Sequence, residues 1–512
     1  MPSVTVVDTP AARLPAPPQR TRRLQGRFLL LSLLAGSLVA AAWPPLPLAP
    51  LALVGLVPLF YVWQRTGRGR HFFLYNLLAF GLLHVWVLRS GFRVAFASQY
   101  QYVAPATMLG YTLLLCLFLQ PFYYLNRRWP VWSWLALPLL WVAHEWTLGT
   151  WQAGLTLINL RWIPALFPKA VLFARWTTTL GITFVLVTIN ALVYWAWELR
   201  AAPGKQRRVL AGLGGLLLLL AAVNLVTYQT ALPAGDEKVR VAVIQPSFAL
   251  KDIVEMKRAK EHVGRMVAMT RGVKERQPDL IVWHETALAG ARIALGQHEQ
   301  HPLMQQLKKL AGEMGAPLLV GTHLFETYPT RPPGNITAKP TGRGGFYDVY
   351  NAAAFIPPDG PIRFYVKNKL VVFIERVPYV DQLAVMRNLH VELGETYGNY
   401  NVRSNDGPIE WQGLRIAPVI CSESIYPEYV RTTTEGANLM VLLGNDSWAG
   451  DAPIVGQMAS YTRLMSVENG LPTVRCSNAG ISLLSDAAGG VSGVTKFGEE
   501  TVRIYDVAVE QP

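Results

Sequence analysis

Three cysteines, Cys116, Cys421 and Cys476, stand in 512 residues. An odd count in so long a chain excludes a disulfide framework and leaves room for a reactive thiol. Cys421 ends the apolar run Ile416-Ala417-Pro418-Val419-Ile420 and leads into Ser422 and Glu423, the strand-to-turn setting in which a nucleophile is exposed to substrate. Most cysteines in such runs are inert core residues, so this segment alone leaves both readings open. Cys116, within an apolar span, and Cys476, in Thr473-Val474-Arg475-Cys476-Ser477-Asn478, read as structural. Glu285 follows the apolar run Leu280-Ile281-Val282-Trp283, where a carboxylate emerges from a sheet edge with its base strength raised by partial burial. Lys367 and Lys369 precede another apolar run that ends in Glu375. A buried ammonium there stabilises an oxyanion or holds a carboxylate, whereas two lysines alone more often form a solvated face. No glycine-rich phosphate loop and no metal-ligand spacing occurs, so neither metal nor cofactor is expected and the chemistry falls to side chains.

The elements that position these residues fall into two groups. From Val239 onward, short β-rich runs alternate with helical ones, which argues for an α/β layered domain over 237–510. Before it, residues 28–230 are dominated by apolar runs. Measured against the roughly 20 residues a helix needs to cross a bilayer, they contain seven candidate spans, centred on Leu34, Leu56, Phe80, Leu114, Leu139, Val185 and Leu217. The first two are short and separated by Pro44, Pro45, Pro47 and Pro50, so they read as a tight hairpin, with a re-entrant pair as the alternative. A cleaved leader at 28–43 is the less favoured reading, since six more apolar segments follow. Ionisable His84, His144 and Glu145 lie in or beside spans, where such groups are either functional or paired between helices.

The chain is 51% hydrophobic and 16% charged, against about a quarter charged in a typical soluble domain. Its 47 basic and 33 acidic residues give +14. Much of that excess sits in the basic segment 1–27 and in alternate connections: Arg65, Arg68 and Arg70, then Arg127 and Arg128, then Arg200, Lys205, Arg207 and Arg208. The opposite connections hold only Arg89 and Arg93, then Arg161, Lys169 and Arg175. This is the positive-inside bias, which accounts for the charge without nucleic acid and puts everything after the seventh span outside the cytoplasm. In a bacterium that is the periplasmic face of the inner membrane.

Glu, Lys and Cys in this order on an α/β domain resemble the nitrilase superfamily, whose members carry that triad in an αββα sandwich. With the membrane bundle added, the chain resembles the apolipoprotein N-acyltransferase family. The family pattern Trp-Pro-Glu-Thr/Ser-Ala appears as Trp283-His284-Glu285-Thr286-Ala287, and the lysine motif as Tyr365-Val366-Lys367-Asn368-Lys369-Leu370-Val371-Val372-Phe373-Ile374-Glu375, which selects Lys367. Cys421-Ser422-Glu423, Asn445-Asp446-Ser447-Trp448 and Asn478-Ala479-Gly480-Ile481-Ser482 match further motifs, and Trp43-Pro44-Pro45 with Pro58-Leu59 fits the first hairpin. Departures are His284, Lys369, Val372, Ile374 and Ser422, the last in place of a tyrosine, and a final span is not expected because 497–512 is short and charged.

The resemblance implies a polytopic helical membrane bundle joined to an αββα sandwich. It also implies acyl transfer by a ping-pong route, with Glu285 as general base, Cys421 as nucleophile and Lys367 at the oxyanion. Glu375 would orient Lys367, Glu423 and Trp448 would shape the pocket, and Ser422 and Asn445 would support it. The implied partners are a phospholipid acyl donor such as phosphatidylethanolamine and diacylglyceryl apolipoproteins, at a membrane. The alternatives are a tethered amidase or nitrilase that uses water, and an inactive homologue that binds lipid or lipoprotein. A transporter would explain seven spans but not the outer domain. A mobile gate at 376–401 would suit two bulky substrates taken in turn.

Overall fold

The computed structural model describes residues 20–89, 103–231, 238–249, 259–335, 337–342, 344–383, 385–386, 398–450 and 453–510. Helices form at the apolar segments: α1 (Gly26–Ala41), α2 (Val57–Arg65), α3 (Gly69–Val87), α4 (Val103–Arg128), α5 (Pro130–Thr150), α6 (Leu180–Glu198) and α7 (Pro203–Ala231). Pro105–Arg128, Leu180–Ala201 and Pro203–Ala231 are long and apolar enough to cross a membrane. α3 and α5, of 19 and 21 residues, carry Asn76 and His84, or His144 and Glu145, in their buried interiors. The second expected span is not one continuous helix. A tight 3-10 turn at Ala49–Leu53 precedes α2, with Leu56 as the cap between them.

Leu218 on α7 is 74% exposed and Trp132 on α5 is 71% exposed, the lipid-facing surface that only a bilayer would cover. Exposed Trp129, Trp132 and Trp197 lie near Arg127, Arg128 and Arg200 at one end of the bundle. Trp146, Trp151 and Trp176 are the exposed tryptophans of the other end, so the two groups read as interfacial belts.

The connection between α5 and α6 departs from expectation. Read from sequence as an outside connection with three basic residues, it folds into tight turns at Thr156–Ile158, Leu160–Leu166 and Pro168–Val171. Arg161 within it is fully buried. It pairs with Glu145 at 3.4 Å and with Glu428 at 2.6 Å, because an unpaired buried guanidinium would be too costly. Glu145 also accepts from Leu160 N and Thr183 Oγ1, each at 2.6 Å, so it is paired between elements. His84 Nδ1 meets Thr112 Oγ1 at 2.8 Å.

The remainder is a two-sheet sandwich. One sheet orders β14 (Thr501–Ala508), β1 (Lys238–Gln245), β2 (Leu280–Trp283), β4 (Leu318–Tyr328), β6 (Phe346–Ile356) and β5 (Lys339–Pro340). β3 (Ile293–Ala294) joins β4, and β7 (Arg363–Val366) joins β6. The other orders β13 (Val491–Ser492), β12 (Leu483–Ser485), β11 (Thr473–Ser477), β10 (Leu439–Gly444), β9 (Leu414–Ile420) and β8 (Ile409–Trp411).

Alternation along the strands builds three layers of core. Val241 and Val243 on β1 meet Val441 and Leu443 of β10 between the sheets. Ala242 and Ile244 face α8 (Ala259–Arg271) and α9 (Pro302–Met314). Met440 and Leu442 turn the other way, toward α10 (Pro427–Thr433) and α11 (Pro453–Asn469), and share one core with the membrane helices. The αββα sandwich therefore uses one of its helical layers to seat the bundle.

Candidate active site

The strand ends of both sheets converge at the site. β2 ends at Trp283, and Glu285 follows in a turn where Thr286 takes φ +58°. Gly321 on β4 passes under this turn. A Cβ there would lie 2.4 Å from the His284 carbonyl oxygen and 2.6 Å from Glu285 Cα, so only glycine allows the approach. β7 ends at Val366 and delivers Lys367, whose N–H donates to Asn351 O of β6 at 2.9 Å. β9 delivers Cys421 at φ +47°, a left-handed conformation that costs a non-glycine residue energy and persists where surroundings enforce it.

Lys367 is fully buried. Its Nζ donates to Glu285 Oε1 at 2.9 Å and to Glu375 Oε1 at 3.0 Å. Asn351 Nδ2 donates to the same two oxygens at 2.9 Å each, and Glu375 Oε2 accepts from Val371 N at 2.8 Å. Burial alone would lower the Lys367 pKa, yet Glu285 and Glu375 together hold it well above the ordinary lysine value. Cys421 is partly exposed. Burial first, and then the charge of Glu285, push its thiol well above the usual cysteine value, with Lys367 pulling in the opposite direction. The cluster thus groups a thiol, a carboxylate and a lysine ammonium, the set a base-assisted nucleophile requires.

The other expected residues divide. Glu375 reaches Lys367, as above. Glu423 is fully buried. It accepts from Asn368 N and Ile420 N at 2.8 Å each and from the Tyr365 hydroxyl at 2.9 Å, tying the end of β7 to the end of β9. Burial pushes its carboxyl up to about 7 against the pull of those backbone donors. Ser422 adds a parallel tie, Oγ to Lys369 O at 2.7 Å. Asn445 Nδ2 donates to Thr286 Oγ1 at 3.0 Å and so braces the Glu285 turn. Trp448 is partly buried in the core shared with the bundle.

Lys369 does not join the cluster. Its Nζ donates to Gly149 O at the end of α5 at 3.4 Å and lies 5.3 Å from the Tyr426 ring centre. Cys476 is buried between the sheets and Cys116 within the bundle. Of the segment read as a gate, 384 and 387–397 lie outside the described residues. Its beginning touches the bundle: Tyr379 N donates to Gln152 Oε1 at 2.9 Å, and Trp151 Nε1 donates to the Tyr379 hydroxyl.

Sequence reasoning missed Asn351, Glu428 and the pairing of Arg161. Asn351 carried a signal, being the lone polar residue within Val349-Tyr350-Asn351-Ala352-Ala353-Ala354-Phe355.

A strained, partly exposed cysteine lies beside a buried Glu-Lys-Glu cluster, on a sandwich seated against membrane helices. The chain belongs to the carbon-nitrogen hydrolase family, whose model matches residues 240–511, and residues 35–192 match the apolipoprotein N-acyltransferase N-terminal domain. The pair of matches puts it in the apolipoprotein N-acyltransferase branch of the nitrilase superfamily. It is 29% identical to an apolipoprotein N-acyltransferase of Chlorobaculum tepidum, over 95% of this chain and 92% of that one. A protein of the same name from Pseudomonas syringae pv. tomato is 28% identical, over 90% and 87%. Among solved structures, the NitN amidase from Neterenkonia sp. AN1 aligns over 53% of this chain and 93% of its own, at 15% identity and a TM-score of 0.35.

Proposed function

We propose that the protein transfers an acyl chain from a membrane phospholipid to the α-amine of a diacylglyceryl-cysteine at the amino terminus of an apolipoprotein. The observation that carries this reading is the partly exposed Cys421, strained at φ +47° beside the Glu285, Lys367 and Glu375 cluster, on a turn seated against membrane helices. Cys421 Sγ attacks the ester carbonyl while Glu285 takes the thiol proton, and Lys367 donates to the oxyanion. Collapse breaks the ester C–O bond, and Glu285 returns its proton to the departing lysophospholipid oxygen. The acceptor amine then attacks the thioester and Glu285 takes a proton from nitrogen. The second collapse breaks the C–S bond, leaving an amide and a thiol reprotonated by Glu285. Asn351 and Glu375 keep Lys367 in place through both steps.

Both substrates are amphiphiles, which is a physical reason to hold a hydrolase-like sandwich against a bilayer. The arginines at 65–70, 127–128 and 200 support an orientation with that end in the cytoplasm and the sandwich at the periplasmic face of the inner membrane. We assign phosphatidylethanolamine as donor.

The test supplies purified protein in detergent with phosphatidylethanolamine and a synthetic diacylglyceryl lipopeptide bearing a free amine. The lipopeptide should gain the mass of one acyl chain as lysophosphatidylethanolamine appears. Release of ammonia from short amides, with the lipopeptide unchanged, would mark a water-using amidase instead.

A further inference from the structure

Just past Cys421 the chain is fastened to the membrane part at three successive points. Thr156 Oγ1 donates to Ile425 O, the Tyr426 hydroxyl donates to Gly154 O at 2.8 Å, and Arg161 Nη1 meets Glu428 Oε1 at 2.6 Å. Arg161 is gripped from behind, donating to Glu145 O at 3.0 Å and pairing with the Glu145 carboxylate. Glu428 opens α10, seven residues after the nucleophile. Its other oxygen, Oε2, is buried without a hydrogen-bond partner. That oxygen lies against Gly149, where a Cβ would fall 2.3 Å away, so a side chain there would displace the carboxylate.

Apolar contact would join the two parts at lower cost, since a buried ion pair recovers little more than its desolvation penalty. What a buried pair adds is registry. Here it fixes where the first turn of α10 sits, and with it the strained turn Cys421–Ile425 that must hold the thiol against Glu285 and Lys367. We propose that Glu428 and Arg161 are positioning residues through which the membrane bundle sets the reactive geometry of Cys421. This rests on the acyltransferase reading above.

The test uses the full chain in detergent with phosphatidylethanolamine, together with iodoacetamide alkylation of Cys421 across pH. Glu428→Ala cuts the link yet leaves Arg161 paired with Glu145, whereas Glu428→Gln keeps an accepting oxygen. Arg463→Gln cuts a different bond between the two parts, Arg463 to Leu166 O at 3.0 Å. Glu428→Ala should slow acylation of Cys421 about 10- to 100-fold, the cost of misplacing a reactive group by roughly 1 Å, with KM little changed. Glu428→Gln should recover most of the rate, and Arg463→Gln should acylate as wild type does.

Charges acting strongly on the thiol come from Glu285, Lys367, Glu375 and Asp446, so a displaced alkylation profile in Glu428→Ala that returns in Glu428→Gln reports geometry. Alkylation needs no acyl donor. A wild type that alkylates but never acylates would therefore defeat the acyltransferase reading while leaving the positioning claim testable. Equal losses in Glu428→Ala and Arg463→Gln, or an unshifted profile with an unchanged rate in Glu428→Ala, would overturn the positioning role.

Discussion

Cys421 combines backbone strain at φ +47° with a thiol held high by burial and by Glu285, which under the proposed acyl transfer calls for a base at the moment of attack. In the wild type, the rate of Cys421 alkylation by iodoacetamide should still be climbing at pH 9, because the thiol titrates above that point. Glu285→Gln removes the negative charge, so the profile should move to lower pH, while acyl transfer falls by about 10²- to 10⁴-fold for want of the base. A wild-type plateau below pH 8, or an unshifted variant, would contradict the assignment. At this scale the sequence was informative about residue types and order. Strand ends gave Glu285, Lys367 and Cys421, and the motif chose Lys367 over Lys369. Asn351 stood out only as a polar residue in an apolar run, and its partner was not legible, because only the pairing of β6 with β7, Ala352 opposite Val366, brings that amide beside Lys367. Ser422 and Glu423 read as pocket residues because neighbours of a nucleophile face substrate as readily as they face backbone. In the fold both also tie strand ends together.

Among the elements, α11 carries the buried acid Glu468, whose carboxyl burial pushes up to about 7. An acid raised in the folded state stabilises the fold fully below its unfolded value of 4.5, and that contribution is lost as pH rises toward 7. The shift is worth about 3 kcal/mol at 1.36 kcal/mol per unit. Glu468→Gln should therefore melt higher than wild type at pH 8 and converge with it near pH 5, read as Tm in detergent. A constant offset across pH would refute it. The apolar helices and the change to alternating strands at β1 were legible, since each follows directly from hydrophobic period. The connection after α5 was not. Its mixture of apolar and basic residues reads as an exterior loop, and only the acids Glu145 and Glu428, distant in sequence, reveal that Arg161 belongs inside.

Across the whole molecule, bundle and sandwich share one core. Trp43 Nε1 donates to the Tyr461 hydroxyl at 3.0 Å, Trp162 stacks on Tyr461 at 4.4 Å, and Gln457 Nε2 donates to Pro44 O at 2.9 Å. A sandwich cut away at 238–510 would bare Tyr461, Ile454, Met458 and Leu464. It should bind a hydrophobic dye and aggregate in size-exclusion chromatography, and a monodisperse soluble fragment would contradict the shared core. The bundle is thus both anchor and structural wall of the catalytic half, which fits an enzyme whose substrates reside in the bilayer. The central claim, that Cys421 carries the acyl chain between two lipids, is tested most directly by intact mass spectrometry after incubation with phosphatidylethanolamine alone. One acyl adduct is expected, removed by hydroxylamine and absent from Cys421→Ala. A folded protein whose Cys421 stays unmodified, or an adduct that persists in Cys421→Ala, would contradict it.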